Sequence, residues 1–497
     1  MKIVIQDRPK LFQETPFTSF LNISPRDPSG GERAREALAG RDYWRQDLSD
    51  LLLGYNRSIG NDAAALQMCK GLREKQAVCV ITGQQLGFMG GPAYTILKGV
   101  TCLLLARELD AIPIFWLATE DHDVSEIDHT YLLDGSGNMK KYTLSLPKDG
   151  RFAEELQLDS HHLDLIKTFC QEVNLINVFD ELRGETAYTR FMIRFLALLF
   201  KGTGLVFIEP FLLRRLAQSF FQREIVDCDA FAEVLQMTTR RLQQLGGSPQ
   251  LNVENGTNLF IKMQGKYRYK LQREGKSFIV GREKLSTKTL LELVEREPER
   301  LSTNAAARAV LQSHLFPTVA YVAGPGEIAY YHQLKDYHEA HEVPMPWIVP
   351  RISATFLTPV AQGMLETCRL TPWEEIPSHW SQIIPGLDSG IEEVAAEWTQ
   401  QAMHHFREDL STEALSRFVR HYVGKLQQKI HASRLRRQGI LPHSLHYLRN
   451  FLHPHGKLQE RVLNWWQFQS NTQDGIIAEL LKQADWKTEG HLYCFLK

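Results

Sequence analysis

A doubly wound parallel α/β sheet is the fold class this sequence predicts, and three observations predict it. Two stretches, 76–118 and 318–353, share one design: an apolar run, a Gly-Pro step, a helical pattern and a second apolar run. Each reads as the βαβ crossover that parallel strands require. Polar clusters follow the apolar runs directly, at the strand carboxyl ends where such sheets bind ligands.

In chain order, "QAVCVITG" (76–83) ends at glycine, as a buried parallel strand does. Pro92 then opens a helix, with Ile96, Val100, Leu103, Leu104 and Leu109 at helical spacing up to Asp110. "IPIFWLA" (112–118) is the next strand, and "GLVFIE" (204–209) brings Glu209 toward the same sheet end as a further contributor. In 257–283 apolar and polar residues alternate between glycine turns, which predicts a β-hairpin or meander whose lysines and arginines face a phosphate, a sugar acid or only water, with water the favoured reading. From Ile391 to about Arg437, Ile391, Val394 and Trp398, then Val419, Tyr422, Leu426 and Ile430, predict two helices of roughly 20–27 residues. The apolar stripe alone favours packing within the chain, and the basic run 434–439 reads as a solvated helix end.

With 497 residues, 43% hydrophobic, the chain can bury a large core across about two to three domains. Lys+Arg (57) balances Asp+Glu (58), which disfavours nucleic acid as a partner. Seven scattered cysteines without a C-x-x-C pair argue against a disulfide framework or zinc ribbon and fit a reducing cytoplasm. No signal pattern opens the sequence and no run of roughly 18 apolar residues occurs, so neither secretion nor a membrane partner is expected.

Three clusters should converge on one cleft: the Gly83–Pro92 loop, "EDHD" (120–123) and "GPGE" (324–327), with "PRIS" (350–353) close by. Glycines let the backbone approach a ligand and present N–H groups, and a helix N-terminus favours an anion or a hydroxyl-rich group. Gln84 and Gln85 add neutral donors and acceptors. Neither G-x-x-x-x-G-K-[ST] nor G-x-G-x-x-G occurs there. "TEDHDVSEIDH" (119–129) packs five carboxylates and two histidines, whose repulsion must be relieved by cations, donors or water. A solvated capping loop, or a metal held by His122 and His129 with Asp121, Asp123 or Glu126, are the other readings of that cluster.

"TGQQLGFMGGPAYTILK", "IPIFWLATEDHDVSEIDH", "LFPTVAYVAGPGEIAYYHQLK", "MPWIVPR" and "LQERVLNWWQF" resemble, in that order and across nearly the whole chain, the bacillithiol biosynthesis cysteine-adding enzymes. The resemblance implies a Rossmann-like core (1–385) with an insertion at about 134–300, a helical coiled-coil arm (386–440) that makes a homodimer, and a segment (441–497) returning to the core. It implies a ligase that joins L-cysteine to the amine of glucosaminyl-malate by an amide bond, the last step of bacillithiol synthesis. A carboxylate does not acylate an amine in water without activation, so ATP with Mg²⁺ is the expected co-substrate. The synthetase H-x-G-H and K-M-S-K-S signatures are absent, so nucleotide use rests on the resemblance. Carried onto this sequence, the binding residues are Thr82, Gly83, Gln84, Gln85, Gly90, Gly91, Pro92, Tyr94, Lys98, Glu120, Asn304, Arg308, Gly324, Gly326, Glu327, Tyr330 and Arg351. His122, oriented by Asp121 or Asp123, is the expected general base for the amine. Two departures stand out: Ser313 occupies a position where the pattern has an acidic residue, and the arm is short. Another nucleotide-dependent amide-forming ligase or transferase, or a non-catalytic dimeric binding protein, are the alternatives.

Overall fold

The computed structural model describes residues 1–6, 16–252, 256–374, 391–406, 411–437, 441–469 and 475–497. Its central sheet has five strands: β1 (Cys79–Gln84), β2 (Ile112–Leu117), β3 (Val206–Ile208), β4 (Thr318–Ala323) and β5 (Trp347–Pro350). All pair in parallel, in the order β5-β4-β1-β2-β3. Every residue of β2 and β4 is buried, which explains why their sequences are continuous apolar runs rather than alternating ones.

Helix α1 (Tyr94–Glu108) makes the crossover from β1 to β2, starting two residues beyond Pro92. Helix α2 (Ala305–Leu315) leads into β4, and α3 (Pro325–Tyr331) and α4 (Lys335–Ala340) connect β4 to β5. Pro325 sits in the first turn of α3, where a missing N–H leaves no bond unmade. The chain steps outward from β1 to β2 and β3, then returns to lay β4 on the other side of β1. Strand order therefore reverses between β1 and β4, the place where an open α/β sheet leaves a crevice. Across that junction the Thr82 hydroxyl donates to Val322 O at 2.9 Å. The short edge strand β3 is covered by the side chain of Asn56, which donates to Phe207 O at 2.9 Å and accepts from its N–H at 3.0 Å.

The insertion contains the expected antiparallel strands. Leu259–Met263 pairs with Tyr267–Lys270 and with Leu301–Thr303, while Gln272–Glu274, Ser277–Val280 and Glu283–Ser286 form a second set. The expectation that its basic residues face water fails at three positions, among them Arg273, which lies over the Phe278 ring. Arg268 is only 6% exposed, and Lys262 is drawn inward by Glu154 and Glu155.

Two compact units emerge. One comprises Met1–Leu132, Lys141–Thr355 and Glu460–Cys494; the other comprises Leu133–Lys140, Phe356–Gln459 and Phe495–Lys497. The second unit contains α5 (Ile391–Phe406), α6 (Thr412–Arg437) and α7 (Pro442–Leu452). At 16 residues α5 is shorter than expected. Of the anticipated stripe Val419 is buried, beside Leu415, Val423 and Leu435 of α6, whereas Tyr422 and Leu426 of α6 and Val394 and Trp398 of α5 are exposed. The anticipated boundary at 385/386 lies outside the described residues. No helix among the described residues is long and apolar enough to cross a membrane.

Three histidines held below their ordinary pKa by burial, His314, His332 and His338, are expected to make the fold acid-sensitive. Burial pulls His338 of α4 down to about 3 and His314 of α2 down to about 4, against about 6.5 in an unfolded chain. A depressed folded value means the unfolded chain binds more protons below pH about 6.5, so stability present above that pH is lost as it falls toward 4. The thermal midpoint is expected to drop between pH 7 and pH 5, and His338→Leu to narrow the drop. An equal drop in wild type and variant would contradict the assignment to His338.

Candidate active site

At the β1/β4 reversal lies a cavity of about 280 Å³. Gly83, Gln84 and Gln85 from the end of β1 form one wall, and Gly324, Pro325, Gly326 and Glu327 from the start of α3 form the other. Lys98, pointing back from α1, joins the two walls. Its ammonium donates to Gly83 O at 2.7 Å, to Gln84 Oε1 at 2.9 Å and to Glu327 Oε2, so all three N–H groups have acceptors. Burial pulls the Lys98 ammonium below the ordinary lysine value, with Glu327 opposing it. Burial also pushes the Glu327 carboxyl up, but Lys98 and the Gly324 N–H at 2.7 Å outweigh it and keep it ionised. The Tyr321 hydroxyl donates to its other oxygen at 2.8 Å.

Four cationic side chains (Lys98, Arg308, Arg351, Arg461) and two anionic ones (Asp121, Glu327) line the cavity. Arg308 donates to the Tyr330 hydroxyl at 2.8 Å, and Arg351 donates to Glu460 Oε1 at 2.7 Å while lying over the Tyr94 ring. The Nε atoms of both arginines are buried and make no hydrogen bond. The excess of positive charge in the lining makes an anionic oxygen the ligand group that suits this cavity. A larger cavity of about 550 Å³ runs along β5 past Trp347 and Trp486 and shares Pro325 and Arg351 with this one. The smaller cavity is the better candidate because the glycine turns and charged groups converge there.

The sequence-derived residues divide clearly. Gly83, Gln84, Gln85, Tyr94, Lys98, Asp121, Arg308, Gly324, Gly326, Glu327, Tyr330 and Arg351 come together around the cavity. Gln85 donates to Asp121 Oδ2 at 2.6 Å. Burial pushes the Asp121 carboxyl up, but Arg268, Gln85 and the backbone N–H of His122 at 2.8 Å outweigh it and hold it well below the usual carboxylate range. His122 follows Asp121 outside the lining, with its side chain 43% exposed. Asp123 caps the turn Val124–Glu126, accepting from Ser125 N at 3.0 Å, so it does not orient the imidazole.

The remaining residues have structural places. Thr82 bonds to β4, and Asn304 caps α2. Glu120 is buried, accepting from the Thr303 hydroxyl at 2.9 Å near Arg214. Gly90 and Gly91, at φ +86° and +63°, make the left-handed turn ahead of α1. A Cβ on Gly90 would meet Phe195, Ile96 and Leu196 only at ordinary contact distance, so φ is its constraint, whereas one on Gly91 would lie 3.3 Å from Gly87. These two glycines and Pro92 shape the loop rather than touch the cavity. Glu209 accepts from the Tyr55 hydroxyl at 2.6 Å, and burial pushes its carboxyl up to about 7, away from the lining.

Sequence reasoning missed Arg268, Glu460, Arg461 and Asn464. Arg268 reaches His122 Nδ1 at 3.2 Å. Glu460 is fully buried and also accepts from Ser353 Oγ at 2.9 Å and Ala354 N at 2.7 Å. Asn464 donates to Met89 O at 3.1 Å and Thr130 Oγ1 at 3.0 Å, gripping the glycine loop. The signal was the polar residues Gln459, Glu460, Arg461 and Asn464 set among the leucines, valine and tryptophans of "LQERVLNWWQF".

The family model for the bacillithiol biosynthesis BshC N-terminal Rossmann-like domain matches residues 11–352, and that for the BshC C-terminal coiled-coil domain matches 408–496. A Heliobacterium modesticaldum protein is 34% identical over 78% of this chain and 74% of its own length. One from Koribacter versatilis is 31% identical over 82% of each chain, and one from Bacillus cytotoxicus 28% identical over 92% of this chain and 91% of its own. All three carry the provisional name "cysteine ligase BshC". With a parallel sheet reversing at β1/β4, polar loops meeting at that reversal and both family domains matched, the chain belongs to the bacillithiol biosynthesis BshC family.

Proposed function

We propose that this chain is a ligase that joins the carboxyl of L-cysteine to the amine of glucosaminyl-malate, completing bacillithiol synthesis in the cytoplasm, with ATP and Mg²⁺ activating the carboxyl. The observation that carries the reading is the switch-point cavity, where four cationic side chains against two anionic ones and the Gly324–Glu327 turn favour anionic oxygens. Substrates of this reaction supply such oxygens: a malate dicarboxylate, a cysteine carboxylate and a polyphosphate. Among the described residues no group of three or more His, Cys, Asp or Glu side chains forms a metal cluster. Mg²⁺ would then enter with the nucleotide phosphates, as it commonly does. Seven buried, unpaired cysteines suit the reducing compartment where a thiol is made.

Within this reading Lys98 and Glu327 hold the two walls in register, Arg308 and Arg351 bind acidic groups, and Asp121 with His122 faces the reacting end. One observation favours a different amine partner as the second reading. The Ser313 hydroxyl, at the position where the family pattern has an acid, and the neighbouring Gln312 amide on α2 are buried without hydrogen-bond partners. The arm is proposed to pair two copies, since Trp398, Phe418, Tyr422 and Leu426 remain exposed on it. A monomer by light scattering at micromolar concentration would reject that pairing.

Incubating the purified protein with cysteine, glucosaminyl-malate and ATP should yield bacillithiol together with AMP or ADP by mass spectrometry. Product with another amine but not with glucosaminyl-malate would support the second reading, and nucleotide turnover without any conjugate would reject both. Lys98→Met is expected to lower stability by about 1–3 kcal/mol, because it takes the cation from the Glu327 carboxylate, which keeps only the Tyr321 hydroxyl and the Gly324 N–H. Adding Glu327→Leu should recover much of that stability in urea titrations without restoring product formation. A double variant with wild-type activity would show that the Lys98–Glu327 pair serves folding alone.

A further inference from the structure

We infer that Arg268 sets the tautomer of His122, so that the imidazole meets the ligand as a hydrogen-bond donor from Nε2 rather than as a base. Three strands of the insertion build the seat of this arginine. Its guanidinium lies over the Phe260 ring at 3.9 Å, Nη2 donates to Thr303 O at 2.6 Å, and Nε reaches Ser302 Oγ at 3.4 Å. Phe260 and Ser302 are register partners on neighbouring strands, so the seat is fixed by the sheet ladder rather than by a flexible loop. The side chain is 6% exposed. Nη1 is left pointing at the loop after β2, 3.2 Å from His122 Nδ1 and 3.4 Å from Asp121 Oδ1.

A guanidinium has only donors and does not lose its proton in a protein. Nδ1 therefore accepts, and the neutral ring carries its hydrogen on Nε2. Asp121 Oδ1, 3.5 Å from the same Nδ1, is the competing partner. Were Asp121 to win, Nδ1 would carry the hydrogen and Nε2 would become the basic nitrogen, the arrangement expected from the sequence. Arg268 occupies the position that decides between these two states and is a positioning residue. With the Nδ1 edge engaged and the ring 43% exposed, Nε2–H is the group left for a ligand. Its natural acceptor is an oxygen that gains negative charge, and in the ligase reading, on which this role rests, that is the carbonyl oxygen of the activated cysteine. The hydrogen bond moves no proton, so no co-reactant is required.

The test uses the full-length protein labelled with ¹⁵N-histidine, in which a long-range ¹H–¹⁵N spectrum reports each tautomer and His122→Gln identifies the signal. At pH 7.5 the wild type should show His122 protonated on Nε2, Arg268→Met should shift it toward Nδ1–H, and Arg268→Lys should keep the wild-type pattern. In the ligation assay His122→Gln, which keeps a donor, should fall within about tenfold of wild type, while His122→Leu should lose about 10²–10³-fold. A wild-type ring protonated on Nδ1, a tautomer unmoved in Arg268→Met, or a Gln variant as inactive as the Leu variant would overturn the inference. The wild-type spectrum decides even if Arg268→Met fails to fold. Absence of ligation in every protein with the Nε2–H tautomer observed would reject the ligase reading and leave the tautomer assignment standing.

Discussion

The buried ammonium of Lys98 is the constraint on which the site depends. A sheet that reverses its strand order leaves two strand ends, β1 and β4, that no crossover helix joins directly. Lys98 bridges them with three hydrogen bonds, to the last turn of β1 and to the first turn of α3. The bridge works only where the backbones come close. At Gly83 a Cβ would lie 3.1 Å from Trp116 O and 3.4 Å from the Tyr321 hydroxyl, so a side chain there would push β1 from β2 and from the Glu327 contact. A charge so deeply buried is tolerated because its three acceptors replace the water it lost.

A second layer of support comes from far along the chain. Residues 460–464 return beside the sheet and supply two polar anchors of different kinds. Glu460, fully buried, pins Arg351 and the start of the segment after β5. Burial pushes its carboxyl up, but Arg351 and the bonds it accepts outweigh this and keep it ionised. Asn464 holds the carbonyl of Met89, which sits at φ +50° in the left-handed turn before α1. The glycine loop is thus held open by glycines and held still by an amide. Its geometry is over-determined, as a preorganised site requires.

Much of this was legible in the sequence, for identifiable reasons. Buried parallel strands announce themselves as apolar runs, and Gly-Pro before a helical stripe marks the carboxyl end of such a strand, so β1, β2, β4, α1 and α3 could be placed and their loops brought together. What stayed hidden depends on three-dimensional register. Gly90 and Gly91 look like ligand-binding glycines but serve φ, and local sequence does not distinguish the two uses. Asp123 sits in an acidic cluster yet caps a turn. Arg268 alternates with polar neighbours as any surface arginine would, and only the pairing of Tyr267–Lys270 with Leu259–Met263 and of that strand with Leu301–Thr303 turns it inward over Phe260. In α6 the stripe through Val419 was continued to Tyr422 and Leu426, which are exposed, rather than through Leu415 and Val423, because both choices keep helical spacing.

Hydrogen–deuterium exchange tests the central claim, that ligand binds where strand order reverses. Adding cysteine, glucosaminyl-malate and ATP to the full-length protein should slow exchange in peptides covering 83–86 and 324–328, whose amides end β1 and begin α3. Protection confined to 25–35 and 486–490, along the larger cavity beside β5, with unchanged exchange at the reversal, would contradict the account.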